Sequence, residues 1–230
     1  MSVSNWVLVD SELGIWEATY KCPPAISRTV AVRLKSGGYL VYSAGKDLLA
    51  SAQEGFLKDT KVEIILVPNT YHHLGISTWL QAYPEAMVVA SGASLGRLKK
   101  NGHKNVGSVS VIIPLLPSEV KLLEPPSTRN GELWLVATTS NGNLWIVCDS
   151  FFNYTKKAKG IVGRGMQLIM GTGPGLTVSR VVFWTQVKNY WVYNRWIKNQ
   201  LKNSPPTTLI PSHGKILTDD NLPQRLEGLL

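Results

Sequence analysis

The stretch that decides the fold runs from Val62 to Ala90 and reads VEIILVPNTYHHLGISTWLQAYPEAMVVA. It begins with a continuous, largely β-branched run, Val62–Val67, which is typical of a strand buried on both faces. The run ends at Pro68, and a polar turn follows that contains two adjacent histidines, His72 and His73. A strand that leads directly into paired imidazoles is a candidate for a functional site.

The second half of this stretch predicts a helix and a further strand. Gly75–Tyr83 places its apolar residues at the i, i+3, i+4, i+7 spacing of one helix face: Ile76, Trp79, Leu80 and Tyr83. Pro84 ends the helix, and Met87–Ala90 is apolar and short enough for a strand. Strand, turn, helix and strand together form a βαβ unit.

Hairpins and helices flank this unit on both sides. Thr29–Leu34 and Tyr39–Ser43 flank a glycine pair, and Glu132–Thr138 and Asn143–Cys148 flank an Asn-Gly turn. Further strands are predicted at Val109–Pro114, Glu119–Leu123 and Thr208–Pro211. Helices are predicted at Asp47–Gln53, Tyr190–Leu201 and Pro223–Leu230. The basic, glycine-rich segment Phe151–Gly175 is predicted to be irregular with some helix. This order predicts an α+β sandwich, two packed sheets covered by helices, in a single domain over residues 1–230.

Composition excludes several classes of protein. With 230 residues, 44% hydrophobic and 17% charged, the chain is too apolar for disorder, and its longest apolar runs fall far short of a membrane span. The N-terminal residues lack the pattern of a secretory signal, and the two cysteines, Cys22 and Cys148, form no disulfide or zinc-finger pattern. We therefore expect a reduced, cytoplasmic protein without a membrane partner.

The net charge of +9 suits an anionic partner. Basic residues gather at Arg97–Lys104 and Lys156–Arg164, but neither cluster has the regular aromatic spacing of a nucleic-acid stacking platform. A solvated basic surface is the favoured interpretation, and nucleic-acid binding is kept as the weaker alternative.

Metal-binding residue types follow three predicted strands. His72 and His73 follow the first, Asp149 ends the second, and His213 follows the third. Strand ends on one edge of a sandwich present site residues, and imidazoles with a carboxylate suit zinc or another first-row divalent ion. Taken singly, each residue has an ordinary alternative as a surface or capping group.

These segments resemble the metallo-β-lactamase superfamily. Val62–Ala90 is similar to the segment that carries its His-x-His-x-Asp-His motif, Leu144–Phe152 to its strand ending in Gly-Asp, and Pro211–Gly214 to its final Pro-Gly-His-Gly. The resemblance implies a four-layer αββα sandwich. A poorly characterised subgroup with a Pro-Asn-x-x-His-His pattern is the most similar.

The motif departs from the family's pattern in a specific way. With His73 aligned to the last histidine of the motif, His72 replaces the aspartate, and Pro68 and Thr70 replace the first two histidines. Residues 125–131 also lack the histidine that the family usually supplies there. The resemblance therefore implies the loss of the first metal site and a second site formed by His72, His73, Asp149 and His213.

We predict one ion, zinc or iron, held by some of these four residues, with Asp149 as ligand and proton acceptor. The first hypothesis is a hydrolase of an ester, lactone, thioester or phosphoester, acting on a small, anionic substrate. The second is a non-catalytic protein of the same fold with a vestigial or structural metal site. The third is a nucleic-acid-processing protein. β-Lactam hydrolysis is disfavoured because the ligand set is incomplete.

Overall fold

Two β-sheets form the centre of the structure, a computed structural model that describes residues 6–22, 25–158 and 160–230. The first sheet has the strand order β1-β2-β3-β4-β5-β6-β7. Its strands are Val7–Asp10 (β1), Ile15–Cys22 (β2), Ala25–Arg33 (β3), Tyr39–Tyr42 (β4), Val62–Val67 (β5), Met87–Ala90 (β6) and Gly107–Ser108 (β7). The last four strands are parallel to one another, as the βαβ prediction requires.

The second sheet has the order β13-β12-β10-β9-β8, and β11 pairs with β10. Its strands are Val120–Leu123 (β8), Trp134–Thr139 (β9), Gly142–Tyr154 (β10), Gly175–Thr177 (β11), Pro206–Gly214 (β12) and Leu217–Thr218 (β13). The predicted Asn-Gly hairpin joins β9 to β10, where Gly142 takes a φ of +103° that suits glycine.

Helices cover the outer faces of both sheets. They are Leu49–Glu54 (α1), Ile76–Ala82 (α2), Gly92–Lys100 (α3), Gly160–Met170 (α4), Arg180–Gln186 (α5), Tyr190–Asn203 (α6) and Leu222–Glu227 (α7), with 3-10 turns at Lys46–Leu48 and Val109–Leu115. None of the helices in the described part of the chain combines the length and apolar character that crossing a bilayer needs.

Three buried apolar clusters lie between these layers. One fills the space between the sheets and contains Leu66 and Ile146. A second packs the other face of β5 against α2, where Trp79 is fully buried. The third packs β9 and β10 against α6 and α7, with Trp145 at its centre. The predicted αββα sandwich is therefore confirmed.

Some predicted elements differ from the structure. Val109–Pro114 forms most of a 3-10 turn rather than a strand, because Pro114 has no N–H to donate and only Ile112 is buried, while its two neighbours are exposed. The strand predicted at Thr208–Pro211 is longer in the structure, where β12 runs from Pro206 to Gly214 and includes His213. Helix α3 lies in a stretch for which no helix was predicted.

Candidate metal centre

Three of the four predicted site residues meet at one edge of the sandwich. His72 lies in the loop after β5, Asp149 lies in β10, and His213 lies near the end of β12. Asp149 Oδ1 is 3.5 Å from His72 Nε2 and 3.3 Å from His213 Nε2. One potential ligand atom from each residue lies within 4.8 Å of the other two.

A bulge in β10 puts Asp149 in this position. Val147 pairs with Pro211 and Phe152 pairs with His213, so residues 148–151 face the single residue Ser212. The extra residues break the regular alternation of side chains along the strand and redirect the Asp149 carboxylate. Cys148 beside it is buried, and burial and the nearby carboxylates raise the pKa of its thiol well above the usual value, so it is an unreactive packing residue.

His72 is oriented from the first sheet. Its Nδ1 is 2.8 Å from Ser43 Oγ, and the ring is nearly buried. Ser43 has a φ of +57°, a left-handed conformation that is costly for a residue with a side chain. The strained residue directs its hydroxyl to one ring nitrogen of His72 and leaves Nε2 directed toward Asp149.

His213 is oriented in the same way. Its Nδ1 is 2.8 Å from the carbonyl oxygen of Ile26, which can only accept, so Nδ1 carries a proton and donates it. Phe152 stacks on the imidazole with an angle of 5° between the ring planes. Buried Arg28 donates to the carbonyl oxygens of Pro211 and Gly214, and these bonds hold both sides of His213 to the first sheet.

Asn69 and the two histidines set the charge of Asp149. Asn69 Nδ2 donates to Asp149 Oδ2 over 2.7 Å. Burial alone would raise the pKa of Asp149, but the charge of His72 and hydrogen bonds from His213 and His72 hold the pKa of that carboxyl well below its usual range. Burial alone would lower the pKa of His213, but the hydrogen bond to Asp149 and its charge raise the pKa of that imidazole. Asp149 is therefore ionised at neutral pH.

A second buried carboxylate, Glu132, supports the bulge. Its Oε1 accepts hydrogen bonds from the backbone N–H groups of Cys148 and Ser150, from Ser150 Oγ and from Trp134 Nε1. Burial, followed by the charge of Asp149, raises the pKa of Glu132 to about 7. Glu132 thus fixes the backbone on both sides of Asp149 without a bond to the carboxylate itself.

The donor set fits a divalent ion. Around a tetrahedral ion with ligand distances of about 2.0–2.1 Å, neighbouring ligand atoms lie about 3.3–3.4 Å apart. The separations of 3.3 and 3.5 Å from Asp149 Oδ1 to the two imidazole nitrogens match that spacing. Both histidines have an outer partner on Nδ1, as metal-binding histidines usually do. His72, Asp149 and His213 could therefore hold one ion.

The structure places His73, the fourth predicted ligand, outside this group. His73 Nδ1 is 3.1 Å from His103 Nε2, and His73 Nε2 is 3.1 Å from Asn101 Nδ2, so both ring nitrogens already have partners. The reason is the turn: consecutive residues there direct their side chains apart, His72 toward β10 and His73 toward the end of α3. Burial, then the charges of His103, Arg97 and His72, lowers the pKa of His73.

Pro68 and Thr70, the residues aligned with the first two histidines of the motif, make backbone hydrogen bonds to the segment before β9. Pro68 O accepts from Leu133 N over 2.8 Å, and Thr70 N donates to Asn130 O over 3.0 Å. Within residues 6–22, 25–158 and 160–230, His72, Asp149 and His213 are the one group of three or more His, Cys, Asp or Glu side chains close enough to hold an ion.

A small cavity of about 200 Å³ opens beside the three residues. Its remaining wall is mostly apolar or aromatic and consists of Tyr20, Cys22, Tyr71, Leu74, Phe152, Met170 and Val182. The site is therefore accessible to a small ligand.

Comparison with solved structures identifies the fold. The DIM-1 metallo-β-lactamase superposes with a TM-score of 0.61 over 94% of this chain and 92% of its own, at 13% identity. This chain has the metallo-β-lactamase fold. The mono-zinc form of the metallo-β-lactamase FIM-1 from Pseudomonas aeruginosa superposes with a TM-score of 0.59, at 11% identity, over 94% of this chain and 90% of its own.

A second kind of protein shares the metallo-β-lactamase fold with this chain. A variant of the flavo di-iron protein from Thermotoga maritima gives a TM-score of 0.61 at 14% identity, over 97% of this chain and 60% of its own. No protein-family model and no curated protein matches the sequence. At identities this low, the structural similarity shows the fold alone, and any activity must be argued from the site.

Proposed function

We propose that the chain is a metal-dependent hydrolase that acts on a carboxylic ester, lactone or thioester through one ion, zinc or iron, held by His72, Asp149 and His213. The observation that carries this proposal is the convergence of two imidazole nitrogens and one carboxylate oxygen beside an accessible cavity. Three protein ligands leave a coordination position free for catalysis, as in known hydrolytic zinc sites.

When bound, a divalent ion would supply Lewis acidity toward a carbonyl oxygen and toward water. The residues of the chain prepare the site for it. The two histidines keep Asp149 ionised, which suits a ligand, and Asn69 donates to its Oδ2. The same low pKa makes Asp149 a weak proton acceptor near neutral pH, so the ligand role is favoured over the predicted role in proton transfer. The Tyr20 hydroxyl lies 3.2 Å from Ser43 Oγ, the atom that contacts His72 Nδ1, and burial raises the pKa of that phenol, so it stays neutral beside the site.

The cavity wall supports a neutral substrate. Apart from His72, Asp149 and His213, its described residues carry no charged side chain and are mostly apolar. A phosphoester would need cationic partners in the wall, so an ester, lactone or thioester with a small apolar acyl group is favoured over the anionic substrate that the net charge suggested.

Metal analysis of protein purified without a histidine tag tests the ligand set. We expect close to one equivalent of zinc or iron, lost in His72→Ala and in His213→Ala. His73→Ala is the matched control, because it removes the neighbouring imidazole outside the cluster and should keep the metal. Less than about 0.1 equivalent in the wild-type protein, with none regained on incubation with zinc or ferrous iron, would overturn the site, since ligands this close bind tightly.

Hydrolysis is tested separately, with a panel of short-chain and medium-chain esters, lactones and thioesters. Activity should disappear on chelation and in His72→Ala, and should persist in His73→Ala. A protein that binds one equivalent of metal and is stabilised by it, yet hydrolyses none of the panel, would support the second hypothesis, a non-catalytic member of the fold.

A further inference from the structure

Helix α4 presents its apolar residues to solvent. Ile161 is 90% exposed, Val162 and Leu168 are each 78% exposed, and Ile169 is 71% exposed. At 100° per residue these side chains, with Met166, occupy one continuous face. The opposite face is the one that contacts the protein: Gln167 accepts from Ala158 N and donates to Lys156 O. No residue of α4 is buried. The helix is thus amphipathic, but its apolar face is directed to solvent and its polar face to the protein.

Exposed aromatic residues continue this apolar surface onto the next two helices. Helix α5 packs against α4 and carries Trp184, which is 77% exposed. The start of α6 carries Trp191, which is 76% exposed, and Tyr190, which contacts Phe183 of α5. We call the exposed apolar residues of α4, α5 and the start of α6 the apolar tract. Isolated exposed apolar residues are ordinary, but a group of large ones on three successive helices, two of which pack together, is typical of an interaction surface.

The positive charge of the protein is concentrated in the same part of the chain. Residues 150–218 contain ten of the 24 Lys and Arg residues and none of the 15 Asp and Glu residues. The rest of the chain is almost neutral, with 14 basic residues against 15 acidic ones. Four exposed basic residues lie close to the apolar tract in sequence: Lys156, Lys157, Arg164 and Arg180.

We propose that the apolar tract docks on the surface of a bilayer that contains anionic phospholipids. Exposed aliphatic residues would enter the boundary between headgroups and acyl chains, tryptophans prefer that depth, and the basic residues would contact the headgroups. Nucleic acid also suits a basic, aromatic surface, but it offers no apolar phase to the four exposed aliphatic residues of α4. A helix of 11 residues lies in an interface without spanning it. The proposal thus departs from the expectation of no membrane partner, which rested on span length.

The docking surface borders the candidate site. Met170, at the end of α4, and Val182, in α5, both line the cavity beside His72, Asp149 and His213. Docking would therefore bring the cavity close to the bilayer surface. The docking proposal does not depend on hydrolysis, because binding to vesicles tests it without any assay of activity.

Sedimentation with vesicles of phosphatidylcholine, with and without phosphatidylserine, tests the proposal. We expect the protein to bind the phosphatidylserine vesicles, more weakly at high salt. The triple variant Ile161→Ser, Leu168→Ser, Ile169→Ser should lower the partition coefficient by about tenfold or more. The matched control is Val7→Ser, Val111→Ser, Ile113→Ser, which replaces three exposed aliphatic residues outside the tract and should change it by less than about twofold.

Tryptophan fluorescence gives a second, site-specific measurement. Trp184 and Trp191 are the exposed tryptophans of the described chain. Brominated phosphatidylcholine in the anionic vesicles should quench the emission, and the double variant Trp184→Phe, Trp191→Phe should lose that quenching while it stays folded.

Four results would overturn the proposal. The first is no binding of the wild-type protein to anionic vesicles. The second is an equal loss of binding in the control triple variant. The third is a wild-type protein that binds no vesicles and is a dimer, while the tract variant is a monomer. In that case a second copy of the chain would cover the apolar tract. The fourth is binding to single-stranded polyuridylate that the aliphatic substitutions leave unchanged, in the absence of vesicle binding.

Discussion

Asn69 and Asp149, 80 positions apart in the sequence, are joined by a hydrogen bond in which Asn69 Nδ2 donates to Asp149 Oδ2 over 2.7 Å. Asn69 is fully buried, and its Oδ1 accepts from Tyr71 N, so one side chain fixes both the carboxylate and the turn that carries His72. The loop after β5 and the bulge of β10 are therefore positioned relative to each other by a single amide.

Replacing this amide should weaken metal binding. In Asn69→Ala, Asp149 Oδ2 loses its donor and the turn before His72 loses its cap, so we expect the affinity for zinc to fall by about 10–100-fold. Competition with a chromophoric chelator measures that affinity. The exposed Asn141→Ala is the control and should bind zinc like the wild-type protein. Unchanged affinity in a folded Asn69→Ala protein would contradict the positioning role of Asn69.

The sequence predicted the elements of the site well but the side-chain directions poorly. The β-branched run Val62–Val67 and the Asn-Gly turn before Gly142 are local signals, and both elements form where they were predicted. The directions of the His72 and His73 side chains are set by a turn, which has no regular periodicity. No period assigns a face to a residue in such a turn, so the sequence could not show which imidazole points to Asp149.

The sequence gives little local indication of the residues that support the site. Asn69, Ser43 and Glu132 were not predicted as supporting groups, because each acts on a residue distant in sequence. Glu132 is the one that a pattern could have indicated. A glutamate at the start of an apolar strand, in Glu132–Thr138, is an expensive residue to bury unless it has several partners.

Ser43 should lower the stability of the fold while it supports metal binding. Its φ of +57° is strained for serine, while its hydroxyl holds His72 Nδ1. Ser43→Gly and Ser43→Ala both remove the hydroxyl, but only glycine relieves the backbone. We expect both variants to lose zinc affinity to a similar extent, and Ser43→Gly to be more stable than Ser43→Ala by about 1 kcal/mol. Urea unfolding of the metal-free proteins measures the difference. Equal stability of the two variants would show that the conformation at residue 43 is not strained.

Glu132 should make stability fall between mildly acidic and neutral pH. The carboxyl ionises near 4.5 in the unfolded chain, and burial and then Asp149 raise its pKa to about 7 in the folded protein. Below pH 4.5 it is protonated in both states. As the pH rises to 7 the unfolded state ionises first, so the free energy of unfolding falls, by an amount on the order of 3 kcal/mol.

Comparison of variants isolates this effect from the other titrating groups. Glu132→Gln keeps an oxygen that accepts from the backbone at residues 148 and 150 but cannot ionise. The difference in unfolding free energy between Glu132→Gln and the wild-type protein should therefore change with pH between 4.5 and 7 and be constant outside that window. Urea unfolding in the presence of a chelator measures it. The exposed Glu12→Gln should give a profile parallel to that of the wild-type protein, and a parallel profile for Glu132→Gln would contradict the assignment.

Gly214 tests whether the close approach of β10 and β12 positions His213. Its φ is +98°, and a Cβ built there would lie 2.1 Å from Asn153 O, a backbone atom that cannot move without shifting β10. Gly37 has a similar φ of +90° but faces open space, so Gly37→Ala is the matched control for backbone strain alone. We expect Gly37→Ala to lower the free energy of unfolding by about 1 kcal/mol, and Gly214→Ala to lower it by a further 1–3 kcal/mol or so because of the clash.

The clash displaces the residue after His213, so zinc affinity should fall in Gly214→Ala and stay unchanged in Gly37→Ala. Equal losses of stability in the two variants, with zinc affinity retained in both, would show that this contact does not hold His213 in place.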